Sequence, residues 1–114
     1  MQKIRPCLWF DTEGEEAATF YTSLFENSRI VGVERYGNGG PRPAGTVMTV
    51  DFVLDGQEFV ALNGGPEYRF TEAVSMQVSC ESQQEVDRLW DAFTSDGGHE
   101  VACGWCTDLS LIHI

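Results

Sequence analysis

The sequence contains two stretches in which a β-prone segment is followed by the start signal and the apolar spacing of a helix. In the first stretch, the apolar segment 4–10 precedes Thr12 and Glu15, which fit the Thr-x-x-Glu capping box of a helix N-terminus. The helix is predicted to run to about Phe25. Four residues at the spacing i, i+3, i+4, i+7 mark its apolar face: Ala17, Phe20, Tyr21 and Leu24.

The second stretch repeats this order further along the chain. Apolar and polar residues alternate over 73–80, which predicts a strand, and Ser82 with Glu85 forms a second capping box. Gly97-Gly98 is the predicted helix stop. The predicted apolar face is Val86, Leu89, Trp90 and Phe93. A shift of 69 residues superposes the two helical faces, which favours a duplicated β-α module.

Three further strands are predicted between the two stretches, at 29–36, 46–54 and 57–63. The segment 37–45 contains four glycines and two prolines and is predicted to be a loop. Asp55-Gly56 is a strong hairpin signal. The first module therefore has the order β-α-β-β-β. Only sixteen residues follow Gly98, so the second module is shortened.

Composition limits the classes of function. A length of 114 residues with 42% hydrophobic residues suits one packed domain. The net charge of −11 repels phosphate backbones, which argues against nucleic-acid binding. No apolar run approaches the roughly 20 residues of a membrane helix, and the first residues lack a secretory signal. We therefore expect a cytoplasmic protein.

Several motifs in order resemble PhnB-like proteins of the glyoxalase/bleomycin-resistance (vicinal oxygen chelate) superfamily, some of which are labelled 3-demethylubiquinone-9 3-methyltransferase. The match spans about residues 2–108. The segments that carry it are Pro6-Cys7-Leu8-Trp9-Phe10-Asp11, Glu15-Glu16-Ala17, Phe20-Tyr21, Val60-Ala61-Leu62-Asn63-Gly64-Gly65-Pro66, Phe70-Thr71-Glu72-Ala73-Val74-Ser75, Glu85-Val86-Asp87-Arg88-Leu89-Trp90 and Cys103-Gly104-Trp105.

The resemblance implies an α+β fold of paired β-α-β-β-β modules that curve around a cavity, usually assembled as a homodimer. Within one domain over 1–114, module one covers about 2–65 and a truncated module two about 70–108. Residues 109–114 form an atypical tail where related chains continue, and truncation or read-through is the preferred explanation.

The resemblance also implies a small-molecule-binding protein with no established reaction. The alternatives are a metal-dependent lyase or isomerase and a truncated, inactive fragment. No residue pattern supports methyl transfer. Metal-dependent members carry ligands on the first and last strands of each module, and the corresponding positions here are Pro6, Ser75 and Asn63, with the fourth in the tail. These are poor ligands, so we expect no metal and no cofactor.

A set of polar and aromatic residues is predicted to contact a small ligand. If the apolar residues of 73–80 face the helices, strand alternation sends Ser75 and Gln77 to the opposite, concave face. The same alternation separates Asn63 from Leu62. Asn63 is predicted to contact the ligand on the concave face together with Ser75 and Gln77. Trp105 completes this predicted set. Under the alternative interpretation, the polar side chains hydrogen-bond the sheet or buried water, and Trp105, like Trp9, belongs to the core.

The four cysteines and three carboxylates have separate interpretations. Cys7 and Cys80 are predicted to be reduced core thiols. Cys103-Gly104-Trp105-Cys106 follows a helix rather than opening one, which disfavours redox activity. Zinc is an alternative for His99, Cys103, Cys106 and His113, although a strand would send the two cysteines to opposite faces. Candidate carboxylate bases without an assignable partner are Asp51, Glu58 and Glu72.

Overall fold

The computed structural model describes residues 2–71, 73–95, 98–100 and 106–107 of an α+β chain. The chain divides into two compact units, Met1–Tyr68 and Arg69–Ile114. The first unit contains β1 (Cys7–Phe10), α1 (Gly14–Leu24), β2 (Arg29–Arg35), β3 (Val47–Leu54) and β4 (Gln57–Asn63). The second contains α2 (Gln83–Thr94), β5 (His99–Glu100) and β6 (Cys106–Thr107).

The first unit is a four-stranded mixed sheet with helix α1 on one face. The strand order is β1-β4-β3-β2, and β1 runs parallel to β4 while the other neighbours are antiparallel. Apolar residues of α1 and of alternate strand positions form the core between helix and sheet. They are Leu8, Phe10, Ala17, Ala18, Tyr21, Val50, Phe52, Leu54 and Ala61.

The predicted face of α1 is partly correct, since Ala17 and Tyr21 are buried, but the buried face is rotated from the predicted one. Ala18 is completely buried, whereas Phe20 is 37% exposed. Gly14 and Ala17 are also buried. Small residues along this face let the helix backbone approach the sheet closely. The predicted Thr12–Glu15 capping box is wrong, because the helix begins at Gly14, after an N-cap residue, Glu13, that makes no side-chain cap hydrogen bond.

The predicted hairpin between β3 and β4 is confirmed. Asp55 and Gly56 adopt φ values of 48° and 81°, as a tight turn with two left-handed residues requires. The backbone N–H of Gly56 also donates to the carbonyl oxygen of Asn27.

Replacing Gly56 with alanine is expected to lower the free energy of unfolding by about 1 kcal/mol, because an L side chain is strained at positive φ. Denaturant unfolding of Gly56→Ala measures this loss. Gly37→Ala is the control, since Gly37 has no positive φ and its added Cβ would meet no heavy atom within 4 Å. An equal loss in both variants would contradict the turn assignment.

Helix α2 of the second unit begins as predicted. The side chain of Ser82 accepts a hydrogen bond from the backbone N–H of Glu85 at 3.1 Å. The 69-residue shift also superposes the first residues of both helices, Gly14 and Gln83. α2 ends at Thr94, before the predicted glycine stop, and Gly97 lies outside the described residues.

The strand predicted over 73–80 is wrong for the described residues of that segment, which contain only an isolated bridge at Ser75. Alternating residue types assign side chains to faces, but a strand also needs a neighbour for its backbone hydrogen bonds. The predicted face of α2 is partly correct, since Leu89 and Phe93 are buried while Val86 is 42% exposed. Neither described helix is long and apolar enough to span a bilayer.

Candidate functional site

One face of the four-stranded sheet lies away from helix α1, and we call it the open face. Ala61 and Asn63 lie close to Gly14 of the helix, which assigns their side of the sheet to α1. Because side chains alternate along a strand, the register places the opposite residues on the open face. Two of its rows cross β1, β4, β3 and β2, namely Cys7–Val60–Asp51–Gly32 and Trp9–Leu62–Thr49–Glu34. A further row, Glu58–Val53–Arg29, crosses β4, β3 and β2.

The centre of the open face is apolar and partly accessible. Val60 and Leu62, both of β4, are half-buried and form its floor. At the β2 end of the first row, a Cβ added to Gly32 would meet no heavy atom within 4 Å. The open face therefore has free space above its β2 edge at Gly32.

An ion pair lies beside this floor. Nη1 of Arg5 is 3.5 Å from Oδ1 of Asp51, and the two side chains are 34% and 42% exposed. Arg5 precedes β1, and Asp51 is paired with Val60 in the sheet. Such an exposed pair adds little stability, on the order of 0–1 kcal/mol. Its significance is that it brings both signs of charge to an apolar surface.

The indole of Trp9 is held in place by three neighbours. Its Nε1–H donates to the carbonyl oxygen of Gly65 at 2.8 Å. Tyr68 packs against it edge-on, with ring centroids 4.9 Å apart at 80°. The backbone of Gly64 lies so close that an added Cβ would be 2.4 Å from the ring. Trp9 is therefore a fixed aromatic group at one end of the open face.

Asn63 lies on the helix side of the sheet, and its predicted position on the concave face is wrong. The residue is 5% exposed. Its Oδ1 accepts from the backbone N–H of Gly14 at 2.8 Å, and its Nδ2 donates to the carbonyl oxygens of Thr12 at 3.1 Å and Val47 at 3.2 Å. Asn63 thus caps the N-terminus of α1 from β4. This favours the alternative interpretation, in which its side chain hydrogen-bonds groups of the protein itself rather than a ligand.

The other predicted ligand contacts belong to the second unit. Ser75 is half-buried and Gln77 is exposed. Trp105 lies outside the described residues. The structure therefore does not test whether these three residues contact a ligand, and that remains a prediction.

The donor atoms at the positions expected from the resemblance do not suit a metal ion. Pro6 has no side-chain donor, and its carbonyl oxygen accepts from the N–H of Val60. The Asn63 oxygen is occupied by Gly14, and Ser75 offers a hydroxyl, a poor ligand for a divalent metal.

The proposed zinc cluster falls largely outside what is described. Cys103 and His113 lie outside the described residues, and of His99 and Cys106 only the backbone in the short strand pair is described. The described residues contain no group of three or more His, Cys, Asp or Glu side chains placed to hold a metal ion.

Two thiols have altered acidity. Burial raises the pKa of Cys7, and the nearby Arg5 guanidinium partly opposes that rise. Burial also raises the pKa of Cys80, and the hydrogen bond and charge of Glu85 add to it. Neither effect activates a nucleophile, because a raised pKa lowers the thiolate fraction at neutral pH. Both cysteines are free thiols, but the prediction that they belong to the core is wrong, because Cys7 is exposed and Cys80 is half-buried.

The pairing of Arg5 with Asp51 is not among the features predicted from the sequence, where Asp51 is a carboxylate without an assignable partner. The two residues are 46 positions apart, and only the strand register brings them together. Two features of the sequence point to this pairing. Arg5 and Cys7 are two positions apart in the predicted first strand, so their side chains share a face, and Asp51 is a charged residue within the apolar strand predicted over 46–54.

Comparison with known proteins agrees with this geometry. The model of the family described as 3-demethylubiquinone-9 3-methyltransferase matches residues 2–110. The chain belongs to this family. A solved structure described as a PhnB protein from Bacillus cereus, and provisionally as a 3-demethylubiquinone-9 3-methyltransferase, is 35% identical with a TM-score of 0.88. The alignment covers 98% of this chain and 95% of that one.

More distant members of the comparison share the fold alone. Protein PA1353 from Pseudomonas aeruginosa is 20% identical with a TM-score of 0.77, over 99% of this chain and 94% of its own. Hypothetical protein SA1046 from S. aureus is 20% identical with a TM-score of 0.58, over 99% and 93%. No curated protein matches significantly. The chain is thus a PhnB-like family member with a glyoxalase-type fold and no established reaction.

Proposed function

We propose that this PhnB-like protein binds a small organic molecule on the open face, without a metal ion. The observation that carries the proposal is the composition of that face. Its floor of Val60 and Leu62 is apolar and half-buried, a fixed Trp9 stands at one end, and the Arg5–Asp51 ion pair lies at the side. Ligand sites commonly combine apolar walls with a few placed polar groups.

The metal-free part of the proposal rests on donor chemistry. On the first unit, the expected ligand positions are a proline and an amide oxygen already bonded to Gly14. Asp51, a carboxylate on the open face, is paired with a guanidinium. A divalent cation beside Asp51 would be repelled by Arg5 at close range. The residues present therefore favour recognition of an organic ligand over metal-assisted lyase or isomerase chemistry.

The proposal also includes the module organisation of the chain and its assembly. We infer that the chain contains paired β-α-β-β-β modules, and the coincident helix starts under the 69-residue shift support this. Ser75, Gln77 and Trp105 are then the proposed ligand contacts of the second module. A cytoplasmic homodimer is the proposed form of the protein, as the family resemblance implies.

Amide chemical-shift mapping tests the binding face. A screen of neutral and charged aromatic fragments at millimolar concentration is expected to shift signals of the floor residues Val60 and Leu62. Leu62→Gln is expected to weaken binding about fivefold, because a polar amide replaces apolar contact area. The matched control is Ile4→Gln, since Ile4 is 83% exposed and lies outside the open face as defined by register.

Two results would contradict the proposal. Fragment shifts confined to residues outside the open face would place binding elsewhere. Equal weakening by Leu62→Gln and Ile4→Gln would show that the floor has no special role.

A further inference from the structure

We propose that Arg5 is an oxyanion-recognising group of the open face, so that the ligand is a small molecule with an apolar body and a carboxylate or similar anionic group. This inference rests on the proposed function and deepens it. It assigns the apolar body to Val60 and Leu62 and the anionic group to the guanidinium.

The guanidinium retains donors for a ligand. It carries five N–H groups in a planar fork, and its contact with Asp51 joins one nitrogen to one oxygen at 3.5 Å. That geometry is not the short, bidentate pairing that arginine forms with a carboxylate in an optimal contact. About a third of the Arg5 side chain is exposed, so an anion in solution can reach it.

The neighbouring carboxylates are less suited to recognising a cation. Glu58 accepts a hydrogen bond from the backbone N–H of Gln2 at 2.6 Å, which engages its carboxylate. Asp51 faces Arg5, so a cationic ligand near it would meet the guanidinium. Glu34 and Arg29 also lie on the open face, but on the edge strand β2, two strands away from the floor on β4. Arg5, by contrast, is paired with Asp51, the direct neighbour of Val60 in the sheet.

The net charge of the chain limits the expected affinity for an anionic ligand. At −11, the protein repels anions at long range, so recognition must come from short-range hydrogen bonds of the guanidinium. Charge-assisted hydrogen bonds are strong enough to discriminate at close contact even when partly exposed. We expect weak, millimolar binding of simple probes with a clear preference for the anion.

Three benzene derivatives of similar size test the inference by amide-shift titration: benzoate, benzyl alcohol and benzylammonium. Benzoate is expected to bind about tenfold more tightly than benzylammonium. Arg5→Met is expected to reduce benzoate affinity about tenfold and to change benzyl alcohol affinity less than about twofold. Arg5→Lys should recover part of the benzoate affinity, since it restores the charge without the fork.

Asp51→Asn is expected to change benzoate affinity in the direction opposite to Arg5→Met. It removes the carboxylate that competes for Arg5, so benzoate should bind about threefold more tightly. The matched control is Arg69→Met, an exposed arginine that belongs to none of the strands of the open face, which should leave benzoate binding unchanged.

The outcomes separate this inference from the proposed function. Equal binding of the three probes on the open face, unaffected by Arg5→Met, would overturn the role of Arg5 and leave small-molecule binding standing. No shift of any open-face signal by any probe would overturn both. Equal losses from Arg5→Met and Arg69→Met would indicate general electrostatics and would also overturn the inference.

Discussion

Replacing Asn63 with leucine is expected to lower the free energy of unfolding by about 3 kcal/mol, with a fall in Tm of about 10 °C. The variant keeps the branching of the side chain but replaces the planar amide with a bulkier apolar group and removes three hydrogen bonds, which join the side chain to backbone groups of Gly14, Thr12 and Val47. The Gly14 N–H is buried, so it loses its partner without gaining water. Thermal and denaturant unfolding measure the loss.

A near-isosteric variant separates hydrogen bonding from packing. Asn63→Asp keeps an acceptor for Gly14 but places a second acceptor against the carbonyl oxygens of Thr12 and Val47. We therefore expect it to be destabilised although its shape is unchanged. Asn38→Ala is the control at an exposed loop position and should stay within about 0.5 kcal/mol of the wild type. Wild-type stability in Asn63→Leu would contradict the capping role.

Gly64→Ala is expected to be the second strongly destabilised variant, by about 2–3 kcal/mol. Its Cβ would lie 2.4 Å from two atoms of the Trp9 indole, a distance that forces the ring to move. Movement would also disturb the hydrogen bond from Trp9 to the carbonyl oxygen of Gly65. Denaturant unfolding gives the loss, and Gly32→Ala, with no heavy atom within 4 Å of its Cβ, is the matched control.

A double-mutant cycle shows whether the indole causes the loss. In a Trp9→Phe background, Gly64→Ala should cost less than in the wild type, because the smaller ring leaves room for the methyl group. Equal costs in both backgrounds would mean that the backbone, rather than Trp9, resists the substitution.

Local signals predicted the fold where the determining contacts are themselves local. The Asp55-Gly56 turn and the Ser82 cap follow from residues within three positions of each other, and the structure confirms both. The Thr12–Glu15 capping box fails because the helix begins at Gly14 instead, where a distant residue, Asn63, accepts from the backbone N–H. The periodicity of apolar residues along the chain does not predict a hydrogen bond between residues that are 49 positions apart.

The site was less predictable for the same reason. Strand alternation correctly separates Asn63 from Leu62, but it does not say which of the two residues faces the helix. That choice follows from Gly14, whose missing side chain leaves room for Asn63. The pairing of Arg5 with Asp51 depends on register across β1, β4 and β3. Single-sequence patterns indicate faces, whereas tertiary pairing decides which face carries the site.

The central claim is that the open face binds an organic ligand and needs no metal ion to do so. One measurement tests it most directly: metal analysis by mass spectrometry of untagged protein purified under reducing conditions, followed by benzoate-dependent melting of the same sample with and without chelator. The account predicts less than stoichiometric metal, the same melting curve with chelator, and a rise in Tm with benzoate. Near-stoichiometric zinc, iron, nickel or manganese, with loss of benzoate stabilisation on chelation, would contradict it.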